Sequence, residues 1–193
     1  MTPKAEPSKF PEKSIYLLPG KGGRLNKGLG AELLARGFSV TGRELVDEFR
    51  SLPFRDQVAV VANDLRSNHW HEDALLIANS FGAYLFLHAQ AELPPYVGRV
   101  LLLSPIVGEA SNEEAMMFFV PPGTRRLNEK IASGTFTAPR RCEIHVGELD
   151  WQSNPEQVEA IGRQLRIPVF FVPNNGHALD RNYVSDLLDI WLP

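Results

Sequence analysis

LLIANSFGAY, residues 75–84, carries an apolar run through a serine into a segment of helical character. The continuous apolar stretch ALLIAN (74–79) is the pattern of a strand covered on both faces. FGAYLFLHAQAEL (81–93) continues as a helix until Pro94-Pro95 stops it. Ser80 stands between them with two readings. It can be an ordinary helix N-cap. Alternatively, A-N-S-F-G is a small-x-Ser-x-Gly turn, so sharp that only small residues fit two positions to either side of the serine. That turn leaves the hydroxyl exposed at the strand tip and aims the backbone N–H of Phe81 at whatever binds there. Ala78 occupies the first small position, where the motif more often has glycine. These ten residues alone leave both readings open.

Outward from this point the chain alternates strand-like and helix-like segments. SIYLL (14–18) is a strand ended by Pro19-Gly20, and LNKGLGAELLAR (25–36) has helical spacing that ends at Gly37. FSVTG (38–42) reads as a second strand, and PFRDQVAVVANDLRS (53–67) as a helix with Val58, Val61 and Leu65 on one face. VGRVLLLSPIV (97–107), CEIHVGE (142–148) and PVFFVP (168–173) are further strands; PEQVEAIGRQL (155–165) and NYVSDLLDIWL (182–192) are further helices. This rhythm predicts an α/β fold, a three-layer α/β/α sandwich around a mostly parallel sheet, in one domain over 14–193. Residues 1–13, polar and proline-rich, are expected to be extended or disordered. The stretch 108–139 interrupts the alternation and is expected to form a short helical excursion over the strand C-terminal edge, where sites form in open α/β sheets.

An activated serine needs a base and a group that orients the base. Strand 142–148 runs into Glu148-Leu149-Asp150, and strand 168–173 into Pro173-Asn174-Asn175-Gly176-His177. Asp150 and His177 are therefore expected past two strand tips on the same edge as Ser80, in the order serine, acid, histidine. Glu148 is the second choice of acid, being closer to the strand. The other histidines fit less well: His69 and His71 precede strand 74–79 at the opposite edge, His88 lies along the helix after Ser80, and His145 is mid-strand. The glycine turn in LLPGKGGR (17–24) can supply a second backbone N–H, from Lys21 or Gly22, to join that of Phe81 in an oxyanion hole. It lacks the spacing of either phosphate-binding glycine motif. Met116, Met117, Phe118 and Phe119 are candidates for an acyl pocket, or for plain packing of the excursion onto the sheet.

Composition narrows the classes. A net charge of −3 argues against a nucleic-acid partner. One cysteine, Cys142, allows no internal disulfide and no cysteine-based metal cluster, and H-x-H at 69–71 alone is a weak metal signal. No signal-peptide pattern and no apolar run of about 18 residues is present, so a cytoplasmic protein without a membrane partner is expected.

Taken together, PGKGG, ANSFG, GELD and NNGHALD resemble the oxyanion turn, nucleophile elbow, acid loop and histidine loop of the α/β-hydrolase superfamily. The resemblance spans residues 14–192, and compact hydrolases of the retinoblastoma-binding-protein type are nearest in size and layout. It implies a small uncapped serine hydrolase with a Ser80–His177–Asp150 triad, cleaving a small ester, thioester or amide without cofactor or metal. Two departures stand: Pro19 where many members have histidine, and Ala78. A catalytically silent scaffold that binds a ligand or a protein is the alternative implied by the same resemblance.

Overall fold

The computed structural model describes residues 13–114 and 116–193, so all of the N-terminal segment expected at 1–13 except Lys13 lies outside the described residues. Six parallel strands form the central sheet: β1 (Ser14–Leu18), β2 (Ser39–Gly42), β3 (Leu75–Asn79), β4 (Arg99–Leu103), and, after a small two-stranded hairpin, β7 (Arg141–Gly147) and β8 (Val169–Val172). Their order across the sheet is β2-β1-β3-β4-β7-β8.

The apolar continuity of the strands follows from burial on both faces. Ile15 and Leu17 of β1, Leu75 and Ile77 of β3, and Leu101 and Leu103 of β4 face one core. Tyr16 and Leu18, Leu76 and Ala78, and Val100 and Leu102 face the other, so strict alternation is present but both sides are apolar. Helices α1 (Leu29–Ala35) and α7 (Arg181–Trp191) cover the first face through Leu33, Leu188 and Trp191. Helices α3 (Phe54–Asn68), α4 (Phe81–Gln90), α5 (Thr124–Ala132) and α6 (Pro155–Leu165) cover the second. The result is the three-layer α/β/α sandwich expected from the sequence. Every residue of α4 is buried, and its Tyr84 hydroxyl donates to the Pro122 carbonyl at 2.9 Å, tying the helix to the segment ahead of α5.

Three local differences from the sequence reading have physical causes. Helix α1 begins at Leu29 rather than at 25, because Gly28 adopts φ 51° and the preceding residues form turns. A short helix, α2 (Asp47–Ser51), precedes α3 where no element was expected. The excursion is only partly helical: its apolar centre is a strand, β6 (Met117–Phe119), paired antiparallel with β5 (Ala110–Asn112), and the helix follows as α5.

The chain leaves β1 towards β2 and then crosses back to β3 on the other side of β1. This reversal opens a crevice at the carboxyl ends of β1 and β3, the position where open α/β sheets place their ligands. Leu18 and Ala78 are register partners there, so the glycine turn after β1 and the serine after β3 emerge side by side.

Candidate active site

Ser80 follows directly from β3 and has φ 54° and ψ −119°, a conformation L-residues seldom adopt outside strained turns. The turn is anchored by the Ser80 N–H donating to the Leu103 carbonyl at 2.9 Å and by the Ile106 N–H donating to the Ser80 carbonyl at 3.3 Å. Close packing explains the small residues around it. A Cβ at Gly82 would press into the carbonyl oxygens of Leu18 and Pro19, and Ala78 is fully buried against β1. A Cβ at Gly20 would stand 3.3 Å from that of Ser80, so the glycine turn packs directly against the serine. Ser80 holds the N-cap position of α4, yet its side chain caps nothing. Its Oγ instead lies 2.7 Å from Nε2 of His177.

His177 comes from the loop between β8 and α7, and the other ring nitrogen, Nδ1, lies 2.9 Å from Oδ2 and 3.0 Å from Oδ1 of Asp150. Asp150, just past β7, is completely buried, whereas Glu148 is exposed. Its Oδ1 accepts the backbone N–H groups of Gln152 and Ser153, each at 3.0 Å. Burial alone would push the Asp150 carboxyl up. The hydrogen bonds from His177 and from the Ser153 hydroxyl and amide outweigh it and hold the group below the usual carboxylate range. Ser153, 1% exposed, also places its Oγ 3.4 Å from His177 Nδ1. The sequence reading passed over it, although D-W-Q-S carries a signal: an acid whose side chain can accept from N–H groups two and three residues on.

Phe81 opens α4, so its N–H has no intrahelical acceptor. Of the two residues proposed to assist it, the Gly22 N–H is already committed to the Leu45 carbonyl at 3.0 Å. Lys21 remains, and among the described residues its N–H donates to no backbone carbonyl. The Lys21 side chain reaches two aromatic rings, with Nζ 4.6 Å from the centre of the Phe81 ring and 4.8 Å from that of Phe119. Burial, with a lesser contribution from the Arg50 charge, lowers its pKa.

The four residues expected to line an acyl pocket are placed unequally. Phe119 packs against Lys21 and the second core, whereas Met116, Met117 and Phe118 are 93%, 51% and 70% exposed on the hairpin. A cavity that reaches His177 lies elsewhere, between α1 and α7. The remaining histidines stay apart from Ser80. His88 packs edge-on to Phe54 and Tyr84, and burial lowers its pKa to about 4. His145 is buried beneath Tyr183 of α7, its Nδ1 2.6 Å from the phenol oxygen. His69 lies at the opposite edge, bonded to Thr41 Oγ1 at 3.3 Å. Burial, and then the neighbouring Glu143, pushes the Cys142 thiol up, as for an inert buried sulfhydryl. Among the described residues no group of three or more His, Cys, Asp or Glu could hold a metal ion. No described helix is long and apolar enough to cross a membrane.

No family model matches the chain, and no curated protein matches it in sequence. Solved structures do match in shape. The product of the ydeN gene from B. subtilis is 16% identical, with a TM-score of 0.64 over 93% of this chain and 98% of that one. The carboxylesterase CesB from Bacillus subtilis is 15% identical, with a TM-score of 0.64 over 93% and 83%. Esterase PE8 is 16% identical, with a TM-score of 0.59 over 96% and 95%. At these identities the likeness establishes the fold alone, the three-layer α/β/α sandwich described above.

Proposed function

We infer that the chain is a serine hydrolase that cleaves a small carboxylic ester, or the corresponding thioester or amide, through an acyl-enzyme. One observation carries this reading: a serine in strained backbone geometry, its hydroxyl 2.7 Å from an imidazole whose far nitrogen rests on a buried carboxylate. A helix cap or a buried structural serine requires neither the strain nor that partner.

Ser80 Oγ attacks the substrate carbonyl carbon while its proton passes to His177 Nε2. Asp150 fixes the Nδ1–H tautomer and stabilises the imidazolium that results. The N–H groups of Phe81 and Lys21 bind the oxyanion, each donor worth about 3 kcal/mol of barrier. As the tetrahedral adduct collapses, the bond to the leaving atom breaks and that atom takes the proton from Nε2. Water then attacks the acyl-serine, gives a proton to His177 and releases the acid, with Ser80 Oγ reclaiming its proton. The esterase names of two of the structural neighbours are in keeping with this chemistry.

A fluorophosphonate probe tests the nucleophile. Ser80 should be the labelled residue in the folded protein, and Ser80→Ala should abolish both labelling and hydrolysis of p-nitrophenyl butyrate. A folded protein in which Ser80 stays unlabelled, or a Ser80→Ala variant as active as the wild type, would leave only a binding scaffold.

A further inference from the structure

A cavity of about 260 Å³ opens beside His177, between the start of α1 and α7. Leu29, Leu103, Leu179 and Val184 form its apolar walls, and Asn79, the neighbour of Ser80 in sequence, also lines it. Leu29, Leu179 and Val184 pack against the core on that face, so these walls are held in place. Of the polar side chains that line it, Glu32 and Ser185 are already engaged by Arg36, at 3.0 Å and 2.9 Å, and Arg181, the first residue of α7, is exposed. The hollow corresponds to about nine water volumes at roughly 30 Å³ each. Small-molecule sites have this character, apolar walls with a few polar groups.

Proton transfer decides which half of the substrate belongs there. The leaving atom must lie within hydrogen-bond reach of His177 Nε2, because that nitrogen protonates it. His177 itself walls the cavity, whereas neither Phe81 nor Lys21, the oxyanion donors, does so. We propose that this cavity is the leaving-group pocket, and that the substrate is an ester of an uncharged, largely apolar alcohol of about six to nine non-hydrogen atoms. The assignment rests on the hydrolase reading above. When the C–O bond to the alcohol breaks, its oxygen takes the Nε2 proton, and a neutral alcohol is released into the cavity. The acyl half then lies outside, towards Phe119 and the hairpin.

Two substitutions change the cavity in opposite directions: Val184→Phe fills it and Leu29→Ala enlarges it. Two ratios of kcat/KM are measured in each: phenethyl butyrate over ethyl butyrate for the leaving half, and ethyl octanoate over ethyl butyrate for the acyl half. Val184→Phe should lower the first ratio by about tenfold or more, Leu29→Ala should raise it, and the second ratio should hold in both. If the second ratio moves and the first holds, the cavity takes the acyl half and the proposal is overturned. It is equally overturned if neither ratio moves in either variant while fluorophosphonate still labels Ser80. Wild-type protein that resists the probe would remove the hydrolase reading as well. Leu29→Ala carries the test alone should Val184→Phe fail to fold.

Discussion

Replacing Asp150 by asparagine tests the acid with little change of shape, and the structure determines what the new side chain must do. Oδ1 of Asp150 accepts two backbone N–H groups, from Gln152 and Ser153, at 3.0 Å each. The carbonyl oxygen of an asparagine must occupy that position, since an amide nitrogen there would face two donors. Its NH₂ group is thereby forced into the Oδ2 position, 2.9 Å from His177 Nδ1. Nδ1 then meets an amide donor at 2.9 Å beside the carbonyl oxygen at 3.0 Å, and in the tautomer that accepts from this donor the imidazole proton sits on Nε2, pointing at Ser80 Oγ across 2.7 Å. An imidazole protonated at Nε2 cannot remove the serine proton. The expected loss in kcat is about 10,000-fold, or about 5.5 kcal/mol at roughly 1.36 kcal/mol per decade.

The assay is p-nitrophenyl butyrate hydrolysis near neutral pH, with circular dichroism to confirm folding. A folded Asp150→Asn protein within about tenfold of the wild-type kcat would refute the tautomer argument, whatever its pH profile. The same variant has a stability signature. The Asp150 carboxyl titrates lower in the folded chain than in the unfolded one, where the value is about 3.9. Its contribution is therefore present above that value and is lost as the pH falls through the lower, folded value. The stability gap between wild type and Asp150→Asn should narrow on acidification below about pH 4. A gap that widens there would reverse the sign of the shift.

The other expectations concern the elbow and the support of the acid. Ser80→Gly should be more stable than Ser80→Ala by about 1 kcal/mol in urea denaturation, the reverse of the usual order, because only glycine relaxes the positive φ. Equal stabilities would mean that the turn stores no strain. Ser153→Ala removes a hydroxyl that supports Asp150 and stands 3.4 Å from His177 Nδ1, so the folded pKa of Asp150 should rise towards its ordinary value. The acid loss of stability should then set in at higher pH, at a cost of about 1 kcal/mol near neutrality. An unchanged onset would reduce Ser153 to a packing residue.

How much of this was legible in the sequence depends on the range of the interaction involved. Strand–turn–helix around ANSFG is local, and α6 spans Pro155–Leu165 as its pattern indicates, with Asn154 capping it through the Gln157 N–H. Local chemistry also marks where Asp150 and His177 leave their strands. The role of Ser80 is not local: cap and nucleophile share one set of neighbours in sequence, and the distinguishing partner lies 97 residues away. The misread centre of the excursion shows the limit of periodicity itself. Met116, Met117, Phe118 and Phe119 are consecutive and apolar, which fits helix and strand alike, and only the antiparallel partner Ala110–Asn112 decides between them.

That same pairing bears on substrate placement. Consecutive apolar residues invite the reading of a pocket lining, because from sequence alone an apolar cluster near an active-site edge has no direction. In the folded chain the hairpin turns only Phe119 inward, against Lys21, and leaves Met116, Met117 and Phe118 exposed. A hollow arises instead between Leu29, at the start of α1, and Val184, in the last helix. Neither residue carries a signal of its own: each is an ordinary apolar position on a helix packed against the same core. A catalytic constellation can be read from residue types because its chemistry restricts them. A specificity pocket is the space left over by packing, so its occupant is identified by changing that space, not by the identities of the residues around it.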